Sequence, residues 1–173
     1  MSNEKDMERA KEQARSQLDG IVTLMKRFKH IEKCEHGEGR EECTLTDKDL
    51  VEGLDEYWEE ERVLTEKERE DLRDRYHDRD EAEERINEDP LSVEFRGGWH
   101  GVGETSEDEE YNILLCTGGP AVRIIGDLGS GGEAHSARLE YQDWGTPWTE
   151  YSPMTSEERE FLLAYASHFY YRE

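Results

Sequence analysis

Residues 111–124 read YNILLCTGGPAVRI, two alternating runs of apolar and polar residues on either side of Thr117-Gly-Gly-Pro120. A period of two is typical of a strand with one buried face, and a short Gly- and Pro-rich link favours an antiparallel pair. The same alternation recurs on both sides of this segment. We therefore predict a four-stranded antiparallel meander with strands near 91–95, 111–115, 122–124 and 137–141.

Helical spacing flanks the predicted strands. From Met7 to Ile31 the apolar residues recur in steps of three and four, which predicts an amphipathic helix. Thr155 precedes Glu158 by three residues, the spacing of a capping box, and a helix is expected to follow it. These patterns predict an α+β fold in which N-terminal and C-terminal helices pack on the sheet.

The region between the first helix and the sheet is predicted to be an inserted acidic helical region. Residues 32–42 read as a loop, and Thr46 with Asp49 and Thr65 with Glu68 predict helices over 47–61 and 66–87. Pro90 ends this region, because the residue before a proline is driven out of the helical conformation. The predicted organisation is 1–31 (N-terminal amphipathic helix), 32–89 (loop and acidic helical region) and 90–173 (sheet plus C-terminal helix), with 1–31 and 90–173 forming one compact domain.

The charge of the chain restricts its partners. The 173 residues include 45 acidic and 22 basic side chains, a net charge of −23, which excludes direct binding of nucleic acid through charge. No window has the roughly 18 apolar residues that a membrane span needs, and the first residues, MSNEKDMERAKEQ, are charged. We expect a cytoplasmic protein with reduced cysteines, no membrane contact and no cofactor.

The most acidic segment is 47–89, with 20 acidic and eight basic residues. One interpretation is a solvated helical surface with ion pairs between neighbouring turns. The other starts from DNA, which carries one negative charge per roughly 1.7 Å of axis, whereas a helix rises about 1.5 Å per residue. Rows of carboxylates can approach that charge density, so the segment is a candidate for binding a basic surface that normally holds a nucleic acid.

Two sets of cysteine and histidine residues give alternative hypotheses. Cys34, His36 and Cys43 are residue types that bind Zn²⁺, although their spacing differs from the usual Cys-x₂₋₄-Cys knuckle. The spacing fixes no fourth ligand, which His30, Cys116 or His100 could supply. Cys116 with His100, oriented by Asp143, could form a nucleophile and base, although Cys116 ends an apolar strand where a core thiol is common. The leading prediction is that the protein is not an enzyme and binds no metal.

Tryptophans mark two predicted loops. Trp99 lies in Gly97-Gly-Trp-His-Gly101, and Trp144 and Trp148 lie in Trp-Gly-Thr-Pro-Trp. Tryptophan is enriched among interface hot spots, so an adaptor that binds a protein through these loops is a third hypothesis. The alternative is that Trp144 and Trp148 fold back over the edge of the sheet.

Three segments, GGWH (97–100), ILLCTGGPAVRI (113–124) and LEYQDWGTPWTEY (139–151), resemble a family of small proteins found in phage and prophage genomes. The resemblance covers chiefly residues 88–170. It implies a protein that acts in the cytoplasm of a bacterial host, and small acidic proteins in that setting include anti-CRISPR inhibitors. It implies no catalytic residues.

The leading hypothesis is therefore a phage-encoded, non-enzymatic inhibitor of anti-CRISPR type that binds a basic surface of a host nucleic-acid-binding complex. The sequence leaves the identity of this partner and the oligomeric state open. The candidate partner-binding residues are Glu59, Glu60, Glu61, Asp71, Asp74, Glu107, Asp108, Glu109, Glu110, Trp99, Trp144 and Trp148.

Overall fold

Helices and one antiparallel sheet make up the computed structural model, which describes residues 2–36, 44–54, 63–99, 101–102 and 108–171. The helices are α1 (Ser2–His36), α2 (Asp47–Gly53), α3 (Glu66–Tyr76), α4 (Arg79–Glu88) and α5 (Ser156–Ala166). The strands are β1 (Ser92–Gly97), β2 (Asp108–Cys116), β3 (Ala121–Asp127), β4 (Arg138–Gln142) and β5 (Thr149–Glu150). The predicted α+β class and the antiparallel sheet are confirmed.

The predicted count of four strands is wrong, because the described residues form five. The order is β1-β2-β3-β4-β5, so every strand pairs with its neighbour in the sequence. The additional strand, β5, pairs with β4 through Glu140 opposite Glu150 and Tyr141 opposite Thr149. A strand of two residues is too short to show an alternating pattern, which explains why the sequence did not predict it.

The chain divides into two compact units, Met1–Val22 with Asn87–Glu173, here called the sheet unit, and Thr23–Ile86, the helical unit. Helix α1 contributes residues to both. The description of 32–89 as an insertion stays a prediction. None of the helices in the described ranges is both long enough and apolar enough to span a bilayer.

The core of the sheet unit is formed by alternate residues of the strands and by the apolar faces of α1 and α5. Ile113, Ile124 and Leu139 are opposite one another in the register of β2, β3 and β4, and all three are fully buried. The segment after α5 adds Tyr171, whose ring lies 4.9 Å from that of Tyr111. Other buried side chains of this unit include Ala10, Ala14, Leu18, Val122, Phe161, Leu162 and Tyr165.

Ion pairs join α1 to the end of the sheet unit that is distant in sequence. Arg9 Nη2 donates to Asp143 Oδ2 at 2.9 Å, and Arg15 Nη1 donates to Glu158 Oε1 at 2.5 Å. Glu158 also caps α5 by accepting the backbone N–H of Thr155, the predicted capping box. These contacts position the start of α5 and the loop after β4.

The helical unit has its own small apolar core. Its buried members are Leu50, Val51, Leu54, Leu64, Leu72 and Tyr76, with Leu45 packed against them. Both predicted capping boxes are present, since Thr46 and Thr65 accept the backbone N–H groups of Asp49 and Glu68. The predicted helix 47–61 is helical as far as Gly53, and residues 55–61 lie outside the described ranges.

The predicted single helix over 66–87 is wrong, because α3 ends at Tyr76 and α4 begins at Arg79. Buried Arg27 of α1 stabilises the break by donating to the carbonyls of Tyr76 at 3.0 Å and Arg75 at 2.6 Å. Asp78 then caps α4, since its Oδ1 accepts the N–H of Glu81 at 3.1 Å. The sequence Asp78-x-x-Glu81 is a capping signal that could have predicted the break.

The predicted loop 32–42 is also partly wrong, because α1 continues to His36. Helical structure over 32–36 changes which residues share a face. His30 and Cys34 are one helical turn apart, which puts their side chains on the same face of α1.

Candidate functional site

The first candidate surface is the exposed side of α3. The predicted partner-binding residues Asp71 and Asp74 are both exposed there. Arg69 on the same helix donates to both oxygens of Asp47, at 2.6 Å and 2.8 Å, and thereby holds the pKa of that carboxyl below its usual value. This arginine is therefore engaged within the unit. Other exposed acids of α3 and α4 are Glu66, Glu70, Asp80, Glu84 and Glu88.

Several predicted residues fall where the structure gives no side-chain description. Glu59, Glu60, Glu61 and Glu107 lie outside the described residues, and Asp108 is described only as the first residue of β2. Their assignment to a binding surface stays a prediction.

The second candidate surface is at the ends of β1 and β2 in the sheet unit. A shallow depression is lined by Arg96, Trp99, Glu109 and Glu110 together with Gly97 and Gly98. Trp99 is fully exposed, at 105% of its reference area, and both glutamates are exposed. Arg96 Nε donates to Glu110 Oε2 at 2.6 Å. The structure therefore brings together three of the predicted residues, here called the Trp99 patch: Trp99, Glu109 and Glu110.

Trp144 follows β4 in the sequence, and its side chain packs against the turn between β2 and β3. Its Nε1 donates to the carbonyl of Gly118 at 3.0 Å, and the indole lies directly on Gly119, where a Cβ would clash with the ring. Asp143 accepts the backbone N–H of Trp144 at 2.6 Å. The indole is thus held in place while 79% of the residue stays exposed.

Trp148 differs from the other two tryptophans because it packs on the sheet. The guanidinium carbon of Arg123 lies 4.1 Å from the centroid of its ring, within the range of a cation–π contact. Arg123 also donates to Glu140 at 2.8 Å across the β3–β4 pair. Trp148 is half-buried, so part of its side chain packs within the sheet unit.

Cys116 and Asp143 are the two residues of the enzymatic hypothesis that the structure describes. Burial raises the pKa of the Cys116 thiol, which favours its protonated and less nucleophilic form. The N–H of Trp144 and the guanidinium of Arg9 lower the pKa of Asp143. His100 lies outside the described residues, so its position relative to Cys116 stays a prediction.

The sheet also has a polar face that the sequence analysis did not single out. Glu94, Asn112, Ile125 and Arg138 form one row across β1 to β4, and they line a shallow depression. Asn112 Nδ2 donates to Glu94 at 3.2 Å. The row has one acidic and one basic residue, Glu94 and Arg138, so its charge favours no partner of a single sign.

A cluster of possible metal ligands lies in the helical unit. The ligand atoms of His30, Cys34 and His77 all lie within 4.8 Å of one another. Cys34 belongs to the predicted zinc set, and His30 is one of its three possible fourth ligands. Cys43 lies outside the described residues and His36 is described only as part of α1, so the rest of the predicted set stays a prediction. The His-x-x-x-Cys spacing of His30 and Cys34 is a signal that the sequence contains. No sequence pattern indicates His77, because its place in the cluster depends on the turn between α3 and α4.

The chain matches no protein-family model, no curated protein and no solved structure. The phage-family resemblance therefore stays a prediction. A functional proposal must depend on the charge of the chain and on the geometry of its described residues.

Proposed function

We propose that the protein is a non-enzymatic, phage-encoded inhibitor of anti-CRISPR type that binds a basic surface of a host nucleic-acid-binding complex. The observation that carries this proposal is the Trp99 patch, in which a fully exposed indole lies beside two exposed glutamates. An indole offers both apolar area and a π face to an arginine or lysine, and the carboxylates bind the same cations. This combination suits a surface rich in arginine and lysine.

The acidity of the whole chain supports a basic partner. The sheet unit has 22 acidic and 9 basic residues, and the helical unit has 23 and 13. Attraction to a basic groove acts over a Debye length of about 8–10 Å at physiological salt, so both units would accelerate association. The same charge opposes binding of the chain to nucleic acid itself.

Competition with a nucleic acid is the proposed mechanism of inhibition. Exposed carboxylates of α3 and α4 repeat along helices whose rise of about 1.5 Å per residue approaches the charge spacing of a duplex. A groove that holds phosphates with lysine and arginine would bind these carboxylates in their place. Glu59, Glu60 and Glu61, which lie outside the described residues, stay predicted members of this acidic set.

The test is a competition measurement with a purified, guide-loaded CRISPR effector complex and a fluorescently labelled target duplex. The protein is expected to lower the anisotropy of the duplex by displacing it, and the inhibition is expected to weaken as salt rises. In parallel, immobilised protein is expected to capture subunits of the complex from a bacterial lysate at low salt and release them at high salt. Unchanged duplex binding and no capture by folded protein would contradict the proposal.

A second candidate function is an adaptor that binds a protein through its tryptophans. The observation that favours it is Trp144, whose indole is fixed by a hydrogen bond and remains largely exposed. Rigid aromatic side chains are frequent hot spots. For an adaptor, Trp144→Ala and Trp148→Ala would abolish capture of the partner, whereas charge reversal of the acidic residues would leave it unchanged.

A further inference from the structure

The arrangement of His30, Cys34 and His77 matches the geometry of a metal site. Cys34 Sγ lies 3.3 Å from His30 Nε2, and the ligand atoms of all three residues lie within 4.8 Å of one another. Zinc bonds of about 2.0 Å to nitrogen and 2.3 Å to sulfur at a tetrahedral angle separate such ligand atoms by about 3.5 Å. Small rotations of the side chains would therefore place all three around one ion.

Two elements of the helical unit supply the ligands. His30 and Cys34 are four positions apart on α1, the spacing that puts side chains on the same face of a helix. His77 is the C-cap residue of α3. Its ring lies 5.6 Å from that of His30, measured between centroids.

His77 is oriented as a metal ligand would be. Its Nδ1 lies 2.7 Å from the carbonyl oxygen of Arg73, so Nδ1 carries the proton and donates it. Metal-binding histidines commonly donate their second ring N–H to a backbone carbonyl, which fixes the tautomer and leaves the other nitrogen with a lone pair. Here that nitrogen, Nε2, is buried and has no hydrogen-bond partner among the described residues. An ion at the cluster would satisfy it.

We propose that His30, Cys34 and His77 form a transition-metal site whose expected ion is Zn²⁺. Two imidazole nitrogens and a thiolate suit zinc and its neighbours, whereas Mg²⁺ and Ca²⁺ require oxygen ligands. Three protein ligands leave one position of a tetrahedral ion for water or a further ligand. The bound ion would cross-link α1 to the C-terminal end of α3, independently of any binding to a nucleic-acid-processing complex.

The test uses the full-length protein, freed of metal under reducing conditions and titrated with Zn²⁺ or Co²⁺. One zinc per chain is expected by equilibrium dialysis and metal analysis. Cobalt is expected to produce a thiolate-to-metal charge-transfer band in the near ultraviolet and the visible bands of a tetrahedral ion. Cys34→Ser is expected to abolish the charge-transfer band, and His30→Gln and His77→Gln to weaken zinc binding at least about tenfold.

Matched variants distinguish this site from the alternative set Cys34, His36 and Cys43. His135 lies between β3 and β4 in the sheet unit and serves as a control histidine. His36→Gln, His135→Gln and Cys116→Ser are expected to leave the cobalt spectrum and the zinc affinity unchanged. Far-ultraviolet circular dichroism of each metal-free variant verifies folding. Three results would overturn the proposal: no stoichiometric metal, loss of binding on His36→Gln but not on His77→Gln, or loss of the thiolate band on Cys43→Ser but not on Cys34→Ser.

Discussion

Arg27 Nε donates a 3.0 Å hydrogen bond to the carbonyl oxygen of Tyr76, the last residue of α3. The same guanidinium donates to the carbonyl of Arg75, and its Nη1 lies 3.4 Å from Oε1 of Glu81. The side chain of Arg27 is only 1% exposed. The last carbonyls of a helix have no partner within it, and a buried arginine provides several donors in a fixed fork. A single side chain of α1 therefore donates to the last two carbonyls of α3.

We expect Arg27→Met to lower the free energy of unfolding by about 2–4 kcal/mol, because buried carbonyls and Glu81 lose their donor. Urea unfolding followed by far-ultraviolet circular dichroism measures the change. Lys11→Met, an exposed basic residue of the same helix, is the control and is expected to change it by less than about 0.5 kcal/mol. Equal effects of the two variants would refute the role of Arg27.

The capping of α5 predicts a pH dependence. The N–H of Thr155 and the guanidinium of Arg15 lower the pKa of Glu158 in the folded protein. A carboxyl with a lowered pKa stabilises the fold fully above its unfolded value of about 4.3, and this contribution disappears as pH falls through the folded value. We expect Glu158→Gln to cost about 1 kcal/mol at pH 7 and less as the pH falls below about 4.

Chemical unfolding at a series of pH values measures this difference. Glu157→Gln is the matched control, because Glu157 is exposed in the same helical turn. A difference between wild type and Glu158→Gln that stays constant from neutral to acidic pH would show that the ionised carboxylate is not responsible.

Gly119 and Gly118 provide a test of how Trp144 is held. Both glycines have positive φ, +78° and +107°, so alanine is strained at either position. Only at Gly119 would the added Cβ clash with the indole. We expect Gly119→Ala to destabilise the protein by about 1 kcal/mol more than Gly118→Ala and to shift the indole N–H resonance of Trp144. Equal stabilities and an unshifted resonance would contradict this packing.

Charge reversal tests the Trp99 patch. We expect Glu109→Lys with Glu110→Lys to weaken binding to the basic partner at least about tenfold and to make the remaining affinity less sensitive to salt. Glu157→Lys with Glu160→Lys changes the net charge equally on exposed residues of α5 and is expected to have a smaller effect. Equal losses for the two double variants would mean that net charge, rather than this patch, determines the affinity.

The acidic helices require a separate measurement. We expect charge reversal of the acidic helices to weaken competition with the target duplex and to make that competition less dependent on salt. The two variants are Asp71→Lys with Asp74→Lys, and lysine at Glu59, Glu60 and Glu61 together. Surface plasmon resonance at two salt concentrations measures both quantities. Unchanged competition by these variants would remove the acidic helices from the proposed interface.

Local signals predicted much of the fold. The capping boxes at Thr46, Thr65 and Thr155 are all present, because each involves residues only three positions apart. The period of two identified the four longer strands for a similar reason. The boundary between α3 and α4 has one local signal, Asp78-x-x-Glu81 at the start of α4. The end of α3 has a distant partner, because Arg27 is 49 residues away from Tyr76 in the sequence.

The candidate sites depended more heavily on tertiary structure. Cys34 was recognised as a possible ligand, but the sequence paired it with His36 and Cys43 because residues 32–42 read as a loop. The continuation of α1 to His36 aligns Cys34 with His30 instead, and the turn after α3 brings His77 to both. Likewise, the sequence indicates Trp99 as a loop tryptophan and Glu109 as one of several acidic candidates. The pairing of β1 with β2 places both residues on one patch.

The ion pair between Arg9 and Asp143 has a consequence for the protein during its synthesis, because 134 residues separate the two partners. At roughly 5–20 residues per second, Asp143 is added to the chain about 7–27 s after Arg9. Until β1 begins at Ser92, the apolar face formed by Ala10, Ala14 and Leu18 has no strand to pack against. The helical unit is continuous in sequence, so all of its residues are synthesised before the strands of the sheet unit.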